Sequence, residues 1–296
     1  MRLARVLGAV GRVFITAGVL ILLFVAYQLW GTGIRTAQAQ NELEDDFAQV
    51  LEDASTTTST STTTTLPGDP ETAPPTEPVP EGEATARIEI PAIGVEKIVV
   101  EGVSLADLKK GPGHYPETPL PGQEGNAAIA GHRTTYGAPF NRLDELKLGD
   151  EIIVTTVQGE FTYEVQETLI VAPTEVQVLE DKGDDRLTLT ACHPKYSARQ
   201  RIVVVSTLAA EEEALPRPTR SEDAPEPESI DNIDGETHGK APAILWGLVC
   251  AAIWVLAWLV GRRWRRWPAY LIGFPFFMVA LFFFFEEFSR LLPSNF

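Results

Sequence analysis

The 296-residue chain predicts one mostly β domain of short strands and short helices, flanked by apolar segments that read as three transmembrane helices. Three observations carry this. Between Ala86 and Leu208, seven or eight short runs either alternate apolar and polar side chains or are rich in Val, Ile and Thr, the pattern of extended chain. Clusters of Gly, Pro, Asn and Asp punctuate those runs. Outside them lie apolar runs of 18, 20 and 19 residues, set off by Ser/Thr-rich and Pro/Glu-rich tracts too polar to build a core. Strand period and turns alone allow a closed barrel or a two-sheet sandwich.

In chain order, residues 1–30 place Arg2, Arg5 and Arg12 before the apolar run Val13 to Trp30, a basic cytoplasmic flank and a first membrane helix. The alternative is a cleaved signal peptide, since Ala37-Gln38-Ala39 offers a cleavage-type site, but the run exceeds the usual apolar core of about 7–15 residues. Residues 31–85 read as an acidic stalk followed by a spacer. Leu43, Phe47, Val50 and Leu51 fall at helical spacing. Eleven consecutive Ser/Thr residues follow from Ser55 to Thr65, then a Pro/Glu-rich stretch. If all of 55–86 were polyproline-like it would reach about 100 Å at about 3.1 Å per residue, enough to let the domain work away from a bilayer.

The domain, residues 86–210, opens with short strands at Arg87 to Ile90 and Lys97 to Val100. Ser104 to Lys109 forms a capped helical turn, and a Gly/Pro-rich loop leads to a strand at Asn126 to Ala130. Phe140 to Leu146 and Glu175 to Glu180 are short helices, and Gln158-Gly159 marks a hairpin between strands Glu151 to Val157 and Phe161 to Val171. Residues 211–240 form a disordered linker. In 241–285, two membrane helices flank a basic cytoplasmic turn with four arginines between 261 and 266, and 286–296 is a short tail. Three spans starting inside leave the domain and the carboxyl end outside.

Arg186 to Val205, RLTLTACHPKYSARQRIVVV, concentrates the chemistry. Period two places Leu187, Leu189 and Ala191 on one face and Thr188, Thr190 and Cys192 on the other, so Cys192 ends a strand. A loop follows, and Arg201 opens a second strand. If the two pair antiparallel, Cys192 and Arg201 are neighbours across the loop mouth. A thiol attacks as thiolate, with an ordinary pKa near 8.5, so a nearby cation favours the reactive form, and an arginine fork can hold an oxyanion. His132 ends the Asn126 to Ala130 strand, sixty positions before Cys192, so only the fold can bring the two together. His193 shapes the loop, and His238 lies in the tail.

TLTACHPKYSARQR resembles the sortase signature, a TLxTC strand end followed by an arginine at the next strand. NAAIAGHRTTYGAPFNRLDELKLGD, residues 126–150, is similar to the family's histidine segment. CHP, SARQR and GHRTTYGAPF are most like class E sortases of actinobacteria. One departure is Ala191, where the family usually has Thr; period two turns that position away from the cysteine face. The resemblance implies a closed sortase-type β-barrel and a cysteine transpeptidase that needs no cofactor. It gives the catalytic roles to Cys192, His132 and Arg201, with Arg199 the rival for the arginine. Tyr136, Thr190 and His114 are the candidates for substrate binding.

The implied partners are secreted proteins with a C-terminal LAxTG- or LPxTG-like sorting signal, a peptidoglycan amine acceptor and membrane lipid. The implied place is the cell membrane, multi-pass, with the catalytic domain outside. A pilin-polymerising enzyme, a surface cysteine hydrolase and a non-catalytic surface module are the alternatives. An L,D-transpeptidase is disfavoured because its short His…SHGC arrangement is missing. A net charge of −17 argues against a nucleic-acid partner, and the two cysteines, one in an apolar run, fit neither a zinc site nor a disulfide within the domain.

Overall fold

The computed structural model describes residues 2–58, 79–217, 241–263 and 266–289. Most of the Ser/Thr-rich spacer, most of the second linker with His238, the middle of the basic turn and the end of the tail lie outside the described residues. The chain forms two compact units, one built on the barrel and one on apolar helices.

Eight strands close the barrel: β1 (Ala84–Ile90), β2 (Val95–Glu101), β3 (Gly113–His114), β4 (Asn126–Ala130), β5 (Glu151–Thr156), β6 (Gly159–Val171), β7 (Arg186–His193) and β8 (Gln200–Leu208). Around the barrel they run β1-β2-β3-β4-β7-β8-β6-β5. Closure decides between the two architectures that strand period alone permits. The inward set, Ile88, Ile90, Ile129, Leu187, Leu189 and Ala191 among others, forms one apolar core. Each large aliphatic side chain so buried stabilises by about 2 kcal/mol, and closure gives every strand a neighbour on both sides. Two ladders bear on the site: β4 and β7 are parallel from Asn126↔Arg186 to Ala130↔Thr190, and β7 and β8 are antiparallel with Cys192 opposite Arg201.

Local signals account for the connections. Ser104 and Asp107 form a reciprocal capping box on the single-turn helix α3 (Leu105–Leu108). The two expected short helices are 3-10 turns, Leu143–Glu145 and Val176–Leu179. The β5–β6 turn lies one residue earlier than expected, because Thr156 pairs with Gly159 and Val157-Gln158 form the loop. β3 went unread in the sequence, since two residues inside a Gly/Pro loop carry no period.

The stretch expected as a stalk is helix α2 (Thr32–Thr58), and it lies on the barrel. Leu43 and Phe47 are buried against Ile98 and Val100. The Gln40 amide accepts from the Ile98 N–H at 2.9 Å and donates to the Ile98 and Lys110 carbonyls at 2.9 and 3.0 Å. It thereby satisfies β2 where the strand has no backbone partner on that side.

In the other unit, helices α4 (Ala241–Arg263) and α5 (Arg266–Ser289) each contain a stretch long and apolar enough to cross a membrane. Trp246 and Phe283 stack at 4.8 Å, and Cys250 packs with Leu281 and Phe285. The predicted first span does not qualify. In α1 (Arg2–Ala26) the apolar helix is Phe14–Ala26, and a π-helical turn with Gln28 follows at Tyr27–Gly31. Thirteen residues rise about 20 Å, short of a hydrocarbon layer of about 30 Å. Two helices, not three, are long and apolar enough to cross a membrane among the described residues.

Candidate active site

Cys192 and Arg201 are paired on neighbouring strands, and His132 lies two residues beyond the end of β4, the strand that flanks β7 on its other side. The β4–β7 ladder keeps an offset of sixty through Ala130↔Thr190, and the Gly131 N–H donates to the Thr190 carbonyl at 3.0 Å. Two steps further, past the end of β4, the same offset points His132 toward Cys192. On the other side Cys192 is paired with Arg201. Adjacent strands are about 4.8 Å apart, so Cys192 and Arg201 sit side by side at the barrel rim, with His132 just past the end of β4 on the other flank. Gly131 is required there, because a Cβ would collide with the ring of Phe140.

Cys192 is a free thiol, partly exposed. It stands on the face of β7 opposite the core, with Thr190, while Ala191 points into the core. Beside it opens a shallow groove lined by Tyr115, Thr190, Arg201, Val203 and the β6–β7 connection. Asn126 pins that wall, donating to the carbonyls of Val178 and Glu180 at 3.0 and 3.1 Å while Thr188 donates to its side-chain oxygen at 2.7 Å. The Tyr115 and Thr190 hydroxyls are 3.3 Å apart. Burial pushes the Tyr115 phenol above its usual value, against the opposing pull of Thr190 and Arg201, so it is neutral at physiological pH. Arg201 donates to the carbonyls of Ala198 and Gln200 at 3.1 and 3.2 Å and faces the groove, whereas Arg199 is exposed.

His132 keeps some exposure as a residue, yet its Nε2 is buried and without a hydrogen-bond partner. Burial, and then the nearby Lys109 ammonium, push its pKa down to about 4. The ring is therefore neutral at pH 7 and can accept a proton. Its depressed value also has a sign in stability: folding is favoured in full above about pH 6.5 and loses that contribution as pH falls toward 4, at about 1.4 kcal/mol per unit. Between pH 7 and 5 the parent should lose about 2 kcal/mol more than His132→Asn, measured by urea unfolding of the barrel followed through its tyrosines. Equal losses in the two proteins would contradict a buried neutral His132.

Residues 88–209 match the sortase domain family. Sortase SrtE2 of Streptomyces coelicolor is 30% identical over 232 residues, covering 71% of this chain and 84% of that protein. The chain belongs to the sortase family. Sortase SrtE1 of the same organism is 34% identical over 69% of this chain, and this chain spans 57% of its length. A solved structure of sortase E from Streptomyces avermitilis is 37% identical, over 44% of this chain and 91% of that one, with a TM-score of 0.40.

Of the residues expected to bind substrate in this sortase, Thr190 lines the groove. His114 does not. It is 1% exposed, with Nδ1 at 2.9 Å from the Glu101 carboxylate and Nε2 at 3.0 Å from the Pro119 carbonyl, so its ring is consumed in holding β3. Tyr136 stands outside the groove lining, its ring 5.0 Å from that of His132 and under the Lys109 ammonium at 5.6 Å. Its backbone has φ 51° and its N–H donates to Thr32 of α2 at 3.2 Å. Tyr115, Asn126 and Arg133 are the site residues that sequence reading missed. For Tyr115 a signal existed, because it adjoins His114 in the loop already suspected of lining the groove. Among the described residues no three His, Cys, Asp or Glu side chains converge as metal ligands.

Proposed function

We propose that this chain is a membrane-held cysteine transpeptidase that cleaves a C-terminal sorting signal after threonine and joins the acyl group to a cell-wall peptide amine. The observation that carries the reading is the pairing of Cys192 with Arg201 beside a groove, with His132 just past the end of the strand that flanks Cys192. The Cys192 sulfur attacks the threonine carbonyl carbon, and the Arg201 fork donates to the carbonyl oxygen as it gains charge. His132, neutral at rest, takes the thiol proton and hands it to the departing amine, leaving a thioester. The acceptor amine then reverses the path: it attacks the thioester, His132 receives its proton, and the thiol is restored.

The substrate reading is a pentapeptide of the LAxTG kind in preference to LPxTG, in keeping with the likeness to class E relatives. A proline restrains its own φ and the residue before it, and lacks the N–H that a groove hydroxyl can bind. One such hydrogen bond supports about tenfold discrimination, or about 1.4 kcal/mol. Tyr115 and Thr190 present hydroxyls to the groove, and Tyr136 acts from beside His132. The test compares kcat/KM for matched peptides in the parent and in Tyr115→Phe and Tyr136→Phe. The parent should favour alanine about tenfold, and Tyr115→Phe should narrow the margin more than Tyr136→Phe. A parent that favours proline would overturn the substrate reading.

Attachment rests on α4 and α5, with the four arginines of the intervening turn on the cytoplasmic side and the barrel outside. A reporter active only in the cytoplasm should work when fused after Arg266 and be silent after Lys240. Activity at Lys240 would put the barrel on the wrong side for cell-wall chemistry.

A further inference from the structure

The parallel ladder that points His132 toward Cys192 ends before it reaches either of them. Its last pair is Ala130↔Thr190, and the last backbone bond is Gly131 to Thr190. Beyond that point β4 gives way to loop, and β7 ends at His193. Something else must hold the two chain ends at a fixed separation.

Arg133, next to His132, occupies that gap. It is 2% exposed and among the largest fully buried side chains of the protein, an unusual state for a residue that normally carries its charge out to water. Its Nη1 donates to the Cys192 carbonyl at 3.3 Å and lies 3.4 Å from His193 Nδ1. Its Nε donates to the Asn141 carbonyl at 3.0 Å, and Nη2 pairs with Asp144 at 2.8 Å. Asn141 returns a bond from its side-chain amide to the Arg133 carbonyl at 2.7 Å. One planar fork thus joins the backbone of the nucleophile to the loop that follows the histidine. A buried guanidinium is tolerated only when its donors are used and its charge is paired, and both conditions are met by partners from this corner of the molecule.

We propose that Arg133 is a positioning residue that continues the register of β4 and β7 past the end of their ladder, fixing Cys192 against His132. The proposal rests on the roles given to those two residues above. Geometry of this kind governs the reacting complex more than peptide affinity, since the groove is lined by other residues. Lysine keeps the positive charge but not the fork, and cannot reach the Cys192, Asn141 and Asp144 oxygens together.

The test uses the full-length chain in detergent micelles and a sorting-signal peptide. Arg133→Lys should retain the thermal transition within a few degrees while kcat falls about 10- to 100-fold and KM stays within about twofold. Arg133→Ala should fall further and regain at least about tenfold in kcat on addition of millimolar guanidinium, saturably, because a small planar cation refills the vacated site. Asp144→Asn, at a partly exposed partner, should fold and lose about three- to tenfold in kcat through a loosened fork. If the arginine variants do not fold, Asp144→Asn decides alone. Folded variants with kcat within twofold of the parent, or a loss confined to KM, would overturn the positioning role while leaving the nucleophile assignment standing. A parent that forms no acyl-enzyme on Cys192 would overturn that assignment and this proposal with it.

Discussion

Cys192→Ala should abolish turnover of a sorting-signal peptide and remove the acyl-enzyme entirely. Without the sulfur no atom on that face of β7 can form the thioester: Thr190 is 6% exposed and its hydroxyl is engaged with Tyr115. The expected fall is at least about 10⁴-fold, the size found when a covalent nucleophile is removed from a unit of cooperating groups. Stability should move little. Cys192 is partly exposed at the barrel rim and is not part of the apolar core, so alanine leaves a solvent-filled dent with no sealed cavity. Steady-state kinetics with a thermal melt checks both halves. Parental turnover in the alanine variant would remove Cys192 from the mechanism.

Arg201→Lys should cost about 100-fold in kcat. The ammonium preserves the charge opposite Cys192 but offers no fork, and losing one well-placed oxyanion donor is worth about 10²- to 10³-fold. Arg199→Lys serves as the internal comparison, since Arg199 is exposed and stands outside the groove lining. It should change kcat by less than about threefold. Equal damage from the two substitutions, or greater damage at Arg199, would transfer the oxyanion role.

Much of this was legible in the sequence because the decisive signals are local. The alternation through Leu187, Leu189 and Ala191 separates core face from cysteine face with no knowledge of the fold, and the Cys192–Arg201 pairing follows once two flanking strands are assumed to pair. Barrel closure was not legible, because short alternating strands fit a sandwich equally well, and resemblance to a family supplied the choice. His114 misled because a histidine in a glycine-rich loop carries no sign of Glu101, thirteen positions earlier, or of the Pro119 carbonyl that takes up its other nitrogen.

Arg133 was passed over for the same reason in reverse. Arginines are ordinarily exposed, and its burial depends on Asn141, Asp144 and Cys192, which only tertiary structure gathers. The leucine and phenylalanine of α2 announced an amphipathic helix correctly, but four-residue spacing does not say what covers the apolar face; the barrel wall at Ile98 and Val100 does. The first membrane span failed on helix geometry: counting apolar letters from Val13 to Trp30 ran past the point where the α-helix gives way to a π-turn.

The central claim is acyl transfer from Cys192 to an amine, and product masses test it most directly. The full-length chain is given an LAxTG-containing peptide with and without a short peptide amine, and both the peptides and the protein are weighed over time. The account predicts a transient adduct on Cys192 equal to the peptide up to its threonine. With the amine present it predicts a new amide joining that threonine to the acceptor, formed faster than the free acid. Free acid alone, at a rate the amine does not change, would make the protein a hydrolase; cleavage with no adduct on Cys192 would contradict the mechanism at its first step.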